Sequence, residues 1–256
     1  MTKLNPLKAE IFKFFKKKST YVSLVILISI EYISAWIIKI QKISNVKDFF
    51  YNSFYATSAL VFIMIGMACS IITMEFQDNT LKNLLVQGHK RAEVLCSKWL
   101  TLLAYMVLAY VLIYVNDFII KFTMFPKLKL FSKVGSYTLI SKTFAYIGML
   151  SLTMWLVLSI VLLVSSLFKN SGISITVGIL TYLSASMIGT LLSWLIKKWS
   201  WIKFNPLNMI FLPSQFLDST VHSVTHLSIS GLVTGNICYV ILFLILDMLI
   251  FEKKSI

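Results

Sequence analysis

Arginine is nearly missing from this chain: Arg91 is the only one among 24 basic residues. Cysteines number three, prolines four and glycines nine, and only 13% of residues are charged. Each shortage excludes something. A net charge of +14 could signal a nucleic-acid binder, but such proteins use arginine for phosphate forks and base edges. No nucleic-acid motif occurs, and attraction of lysines to an anionic cytoplasmic leaflet is the simpler reading. Cys69, Cys96 and Cys238 are too scattered for a disulfide framework or a CxxC metal site. Two of them, Cys69 and Cys238, stand in apolar runs, where cysteine acts as a small hydrophobe.

The low charge excludes a soluble globule. Soluble domains carry about 45–50% apolar and roughly 25% charged residues, whereas 58% of this chain is apolar and its mean hydropathy is +0.83. Polar groups cannot cover such a surface, so the surface faces lipid. No GxxxxGK[ST] phosphate loop and no HExxH occur, and His89, His222 and His226 all fall between apolar runs. Neither nucleotide hydrolysis nor intramembrane proteolysis is expected of this chain. Asp218, His222 and His226 are spaced four apart, which would suit a zinc ion on a helix. An outer helical segment carrying two exposed histidines is the favoured reading, and no metal is expected.

What is present is apolar length. Crossing about 30 Å of hydrocarbon takes about 20 helical residues, and six runs qualify: 21–38, 54–74, 99–120, 144–168, 172–196 and 229–250. They are continuous rather than alternating, which favours helices over a barrel, and none contains proline. The expectation is an all-α membrane protein, one domain over 1–256 with six transmembrane helices. Lys3, Lys8, Lys13, Lys16, Lys17 and Lys18 precede the first run and place both termini in the cytoplasm of a cell-membrane, multi-pass protein. Summed over the chain, Lys and Arg number 13 on the proposed inside and 11 outside, so the N-terminal cluster carries the assignment. Glu31 interrupts the first run and no A-x-A-like site follows, so the run reads as an uncleaved membrane helix. Within 1–20, Leu7, Ile11, Phe14 and Phe15 recur at helical spacing between lysines, the pattern of an amphipathic interfacial helix. The 197–228 segment is apolar and tryptophan-bearing, and is expected outside, at the interface.

The most informative polar stretch is 75–98. Asp78, Asn79 or Thr80 can cap a short helix with Leu81, Leu84 and Leu85 on one face, which Gly88 would end. Arg91 and Lys98 flank a second helical stretch entering the third run. The pattern Glu75, Thr80-Leu81, Leu84-Leu85, Gly88, Arg91, Lys98 resembles the intracellular segment of type-two ABC exporter permeases, and Leu7-Lys-Ala-Glu10 is similar to their N-terminal connecting helix. Asn205-Pro206 is similar to a position in their extracellular region. In size and layout the chain most resembles the antimicrobial-peptide export and immunity members of that family.

The resemblance implies a permease working with two separate ABC ATPase subunits, which would carry ATP and Mg, and with a second permease chain, identical or homologous. It also implies a cytoplasmic coupling helix at about 78–87 that Glu75 and Arg91 orient by ion pairs, with no cofactor bound by this chain.

Polar residues inside the runs come last. Glu31 must face the bundle, pair or stay protonated, because an ionised side chain at mid-membrane costs at least ~2.5 kcal/mol. Its readings are a substrate or gating contact, or a structural hydrogen bond. Asp117 with Lys121 one turn later reads as an interfacial ion pair, and Asp247 as an anchor near Lys253 and Lys254. Small residues line the fifth run (Gly178, Thr181, Ala185, Gly189, Ser193) and the second (Ala59, Gly66, Ser70), faces suited to close helix packing or to a pathway at a dimer seam. An ATP-independent secondary transporter, or a membrane-embedded sensor or binding subunit, is the alternative.

Overall fold

The computed structural model describes residues 6–43, 45–77, 90–134, 137–168 and 170–253. These form helices, their connecting turns and one small hairpin. The chain runs α1 (Pro6–Lys16), α2 (Lys18–Ile40), α3 (Val46–Tyr51), a turn at Ser53–Tyr55, α4 (Ala56–Gln77) and α5 (Arg91–Met124). Then come β1 (Lys133–Val134), β2 (Tyr137–Thr138), α6 (Leu139–Leu167), α7 (Ser171–Met187) and α8 (Gly189–Lys198). After a 3₁₀ stretch at Ser200–Phe204 follow α9 (Pro206–Met209), α10 (Leu212–Leu217), a 3₁₀ turn at Ser219–Val221, α11 (His222–Thr225) and α12 (Ile229–Lys253).

Among the described residues, α2, α4, α5, α6 and α12 are the five helices long and apolar enough to cross a membrane. At 1.5 Å per residue, the 23 residues of α2 reach about 34 Å. Their outward faces carry large apolar side chains such as Val25, Trp36, Val111 and Ile245, each more than half exposed. Water would not tolerate so much apolar surface, and lipid requires it.

The sixth expected span, 172–196, is not one helix. It is divided at Ile188 (φ −79°, ψ −3°) into α7, of 17 residues, and α8, of 10. Asn170 caps α7 by accepting the Gly172 and Ile173 N–H groups. At the break, the Phe211 ring packs so closely that a Cβ on residue 189 would lie 3.1 Å from it. The second departure lies between α5 and α6, where Lys133↔Thr138 and Val134↔Tyr137 pair as an antiparallel hairpin.

The structure divides into two compact units, with the divisions falling inside α4, in the first turn of α5 and inside α6. The first holds the residues up to Met64 together with Glu93–Ala145. In it Phe14 meets Tyr105 edge-on at 5.4 Å, and Tyr105 Oη is 2.7 Å from Ser23 Oγ. Those contacts bind α1, α2 and α5.

The second unit holds Ile65–Ala92 and the residues from Tyr146 onward. Its core gathers Leu156, Met209, Leu212, Leu227, Leu232 and Val240. The segment expected to lie at the outer interface is folded here onto α12. Asn205 caps α9 through the Asn208 N–H at 2.9 Å, with Pro206 in the first turn where its missing N–H costs nothing. Asn208 Nδ2 then donates to the carbonyls of Lys203 and Thr225, and Gln215 Nε2 to that of Leu227 at 2.8 Å.

One contact fixes the depth of this cap. Asn236 Nδ2, buried on α12, donates to Met209 O at 2.9 Å, and the Met209 side chain crosses Gly235. A Cβ at 235 would lie 2.3 Å from Met209 Sδ. Gly235→Ala therefore overpacks this crossing and is expected to destabilise by about 1–3 kcal/mol, read as a lower thermal midpoint in detergent. Adding Met209→Ala makes room for the new methyl, so the double variant loses less than the sum of the singles.

Candidate functional site

The first unit encloses a polar cluster inside its apolar helices. Glu31 of α2 and Asp117 of α5 are both 0% exposed, and their carboxyls lie close enough to interact directly. Asn116 Nδ2 donates to Glu31 Oε2 at 3.3 Å, and Ser53 Oγ donates to Asp117 Oδ2 at 2.6 Å. The other two oxygens, Glu31 Oε1 and Asp117 Oδ1, are buried with no hydrogen-bond partner among the described residues.

The expected Asp117–Lys121 ion pair does not form. Lys121 Nζ lies 4.1 Å from the centre of the Phe122 ring, and Asp117 takes the Ser53 hydroxyl instead. Placing Asp117 on the inward face of α5 turns it away from the interface, where the lysine can reach water.

Ser53 reaches the cluster because the chain entering α4 is left-handed. Ser53, Phe54 and Tyr55 have φ of 44°, 47° and 70°, a conformation that side chains disfavour. The turn is held on several sides. Ser34 Oγ, three residues after Glu31, donates to Phe54 O, Tyr55 N donates to Asn52 O at 3.0 Å, and the buried Phe54 ring stacks on Phe125 at 5.7 Å.

A second anchor lies toward the start of α5. Lys98 Nζ, on a side chain only 1% exposed, is 3.3 Å from Glu10 Oε2 on α1, and Lys13 Nζ is 3.4 Å from Glu10 Oε1. In the second unit, Arg91 donates to the Phe251 and Glu252 carbonyls at 3.3 and 2.8 Å, at the end of α12 where a helix leaves carbonyls unpaired. Asp247 is buried and accepts the Ser166 hydroxyl.

Of the remaining expected residues, Asp78, Thr80, Leu81, Leu84, Leu85 and Gly88 lie outside the described residues. Glu75 falls in the last turn of α4 and Ala185 in α7. Gly178 packs where a Cβ would meet Ile65 Cγ2 at 2.9 Å, and Gly189 lies under Phe211. A Cβ at Gly66 would meet nothing within 4 Å, Ser70 bonds back to Gly66 O, and Ala59 is half-buried. Thr181 bonds back to Val177 O, and Ser193 lies 3.5 Å from Ser223 O across the bend. The small-residue stripes thus differ. Two glycines of the fifth run mark close contacts, whereas Gly66 on the second is open.

Asp218, His222 and His226 do not share a helix. Asp218 caps the turn Ser219–Val221, His222 opens α11, and His226 ends it at φ 51°. Among the described residues no three His, Cys, Asp or Glu groups are placed to hold a metal ion. The Thr220 N–H, 2.9 Å from Asp218 Oδ1, holds that carboxyl below its ordinary pKa.

The sequence reading missed Ser53, Asn116 and Glu10 as partners. Asn116 and Asp117 stand side by side in an apolar run, a signal that both turn inward. Nothing in the sequence marks Ser53.

The two ion pairs to Glu10 separate by burial. Removing one partner of a buried pair strands a charge and costs about 3–5 kcal/mol, whereas an exposed pair is worth about 0–1 kcal/mol. Lys98→Met is therefore expected to lower the thermal midpoint strongly, and Lys13→Met, on a side chain 50% exposed, to leave it nearly unchanged. Paired thermal melts in one detergent make the comparison.

Residues 9–256 match the family described as "Protein of unknown function (DUF2705)". Over 192 residues the chain is 30% identical to a Bacillus subtilis (strain 168) protein named "Uncharacterized membrane protein YdbK", a match covering 73% of this chain and 77% of that protein. The apolar helices and this likeness agree that the chain is a membrane protein. It belongs to the DUF2705 family.

Proposed function

We propose that this protein is the permease subunit of an ATP-driven exporter, moving an amphipathic or hydrophobic substrate, such as an antimicrobial peptide, out of the membrane or cytoplasm. In this reading α7 and α8 together form the sixth span, both termini are cytoplasmic in the cell membrane, and α1 lies along the inner surface. Two separate ABC ATPases supply ATP and Mg, and a second permease chain, identical or homologous, completes the pathway. The coupling segment is 75–98, with Leu81, Leu84 and Leu85 docking into the ATPase.

The observation that carries the reading is the buried Lys98–Glu10 ion pair. A lysine entering the third span is one of the residues through which the sequence resembles the exporter permeases. Pairing it with Glu10 ties the amphipathic α1 to the helix that follows the docking segment. A push on that segment would then reach α1 through a charge contact that is costly to break. Arg91 supports the same reading, because its bonds to the end of α12 anchor the exit of the segment.

One observation favours the alternative of an ATP-independent transporter: the buried carboxyls of Glu31 and Asp117, a type of group that marks ion pathways within membranes. The two readings separate in a pull-down of tagged protein from native membranes, with and without Leu81→Asp plus Leu84→Asp. Under the exporter reading an ABC ATPase co-purifies with wild type and is lost with the double variant. If folded wild type brings down no ATPase, the exporter assignment fails and the alternative takes its place.

A further inference from the structure

The Glu31–Asp117 cluster has four carboxyl oxygens and two donors. Asn116 and Ser53 serve one oxygen of each carboxyl. Glu31 Oε1 and Asp117 Oδ1 are left, both buried, on carboxyls close enough to interact directly. An ionised carboxylate only accepts hydrogen bonds, so neither orphan can satisfy the other while both are charged.

Among the described residues no cation answers the charge from nearby. Lys121, one turn on, lies over Phe122, and Lys39, two turns beyond Glu31, is exposed. Among the described residues the other titratable groups around the pair are phenols: Tyr114 of α5, which the Asp117 charge reaches, and Tyr110 beside it. At the end of α3, Tyr51 lies between Asp48 and Lys142, whose Nζ is 4.9 Å from the ring centre. None of these supplies a positive charge at the two orphan oxygens.

A single proton resolves all of this together. It removes one of two like charges in a medium that screens them poorly, makes one orphan oxygen a donor, and gives the other its missing partner. We propose that Glu31 and Asp117 form an exchangeable proton-binding site, one proton being held between Glu31 Oε1 and Asp117 Oδ1. The site is wired to the left-handed turn before α4. Ser53 of that turn donates to Asp117, and Ser34, on the turn of α2 that follows Glu31, donates to the Phe54 carbonyl. Loading and release of the proton are therefore felt where α4 begins. This holds whether or not an ATPase is the partner, and the test needs none.

The experiment is difference infrared spectroscopy of the full-length protein in lipid nanodiscs. At neutral pH wild type should show the carbonyl stretch of a buried protonated carboxylic acid. Glu31→Gln and Asp117→Asn should each change it, one by removing the carboxyl that carries the proton, the other by putting an amide in place of that acid's hydrogen-bond partner, which shifts its frequency. Asp247→Asn, at a buried carboxyl of the second unit, should leave the band of the pair in place. Loss of the band on adding sodium or potassium at fixed pH would mean that a metal ion, not a proton, occupies the site, and would overturn the proposal. So would a band unchanged in both intensity and frequency in both pair variants. Should a variant fail to fold, wild type carrying carboxyl-13C glutamate and aspartate decides alone: absence of any isotope-shifted protonated band overturns the proposal.

Discussion

Hydrocarbon offers no water to an unpaired polar group, and each one left bare costs several kcal/mol. The arrangement of this protein follows from that constraint. Its helices satisfy their own backbones, and most hydroxyls within them bond back to the preceding turn, as Ser29 does to Val25 O, Thr73 to Cys69 O, Thr101 to Ser97 O and Ser165 to Val161 O. Such residues ask nothing of their neighbours. Other polar groups reach across and hold the elements together, among them Ser23 with Tyr105, Ser53 with Asp117, Ser166 with Asp247 and Asn236 with Met209 O. Between them, helix packing supplies contact area without direction, and these bonds supply the direction.

The same constraint decides what a sequence reading can reach. Apolar runs near 20 residues have one solution in lipid, so α2, α4, α5, α6 and α12 fall on the runs that length and hydropathy single out. The run 172–196 fails for a local reason. Nothing in its composition says that Phe211, some twenty residues later in a cap of short helices, will press against residue 189, where glycine leaves room. The bend belongs to tertiary packing, and hydropathy averages over it. The hairpin at Lys133–Thr138 is likewise too short, at two residues per strand, for an alternation to be read.

Charged residues were legible as anomalies and illegible as partners. Glu31 stands out in an apolar run and does turn out fully buried. Asp117 invited pairing with Lys121 by its spacing of four, a rule derived from helices in water. In this protein the lysine keeps its charge at the rim and the carboxyl faces inward, because two residues four apart on a helix share a face only approximately. Lys98 is the converse case. The sequence marks it as one of several lysines, and only the fold shows that it is 1% exposed and held by Glu10. What distinguishes it is an acidic residue far away in sequence, on a helix whose own spacing reads as a surface anchor.

The left-handed run at Ser53–Tyr55 connects these threads. Three successive non-glycine residues at positive φ carry strain of about 1–3 kcal/mol each and persist only where the surroundings over-determine them. Here the surroundings are the Phe54 ring locked against Phe125, the Ser34 hydroxyl on the Phe54 carbonyl, and the Ser53 hydroxyl on Asp117. Two of those three restraints come from groups at or beside the acidic pair. The strain at the head of α4 is thus balanced in part against the Ser53 bond to Asp117, whose strength depends on how much charge that carboxyl carries, since bonds to an ionised acceptor are roughly twice as strong as neutral ones. A buried carboxyl pair in an otherwise apolar bundle would be a liability if it only occupied space. Tied to a strained turn at the start of a membrane-spanning helix, it gives that helix an end whose conformation answers to charge.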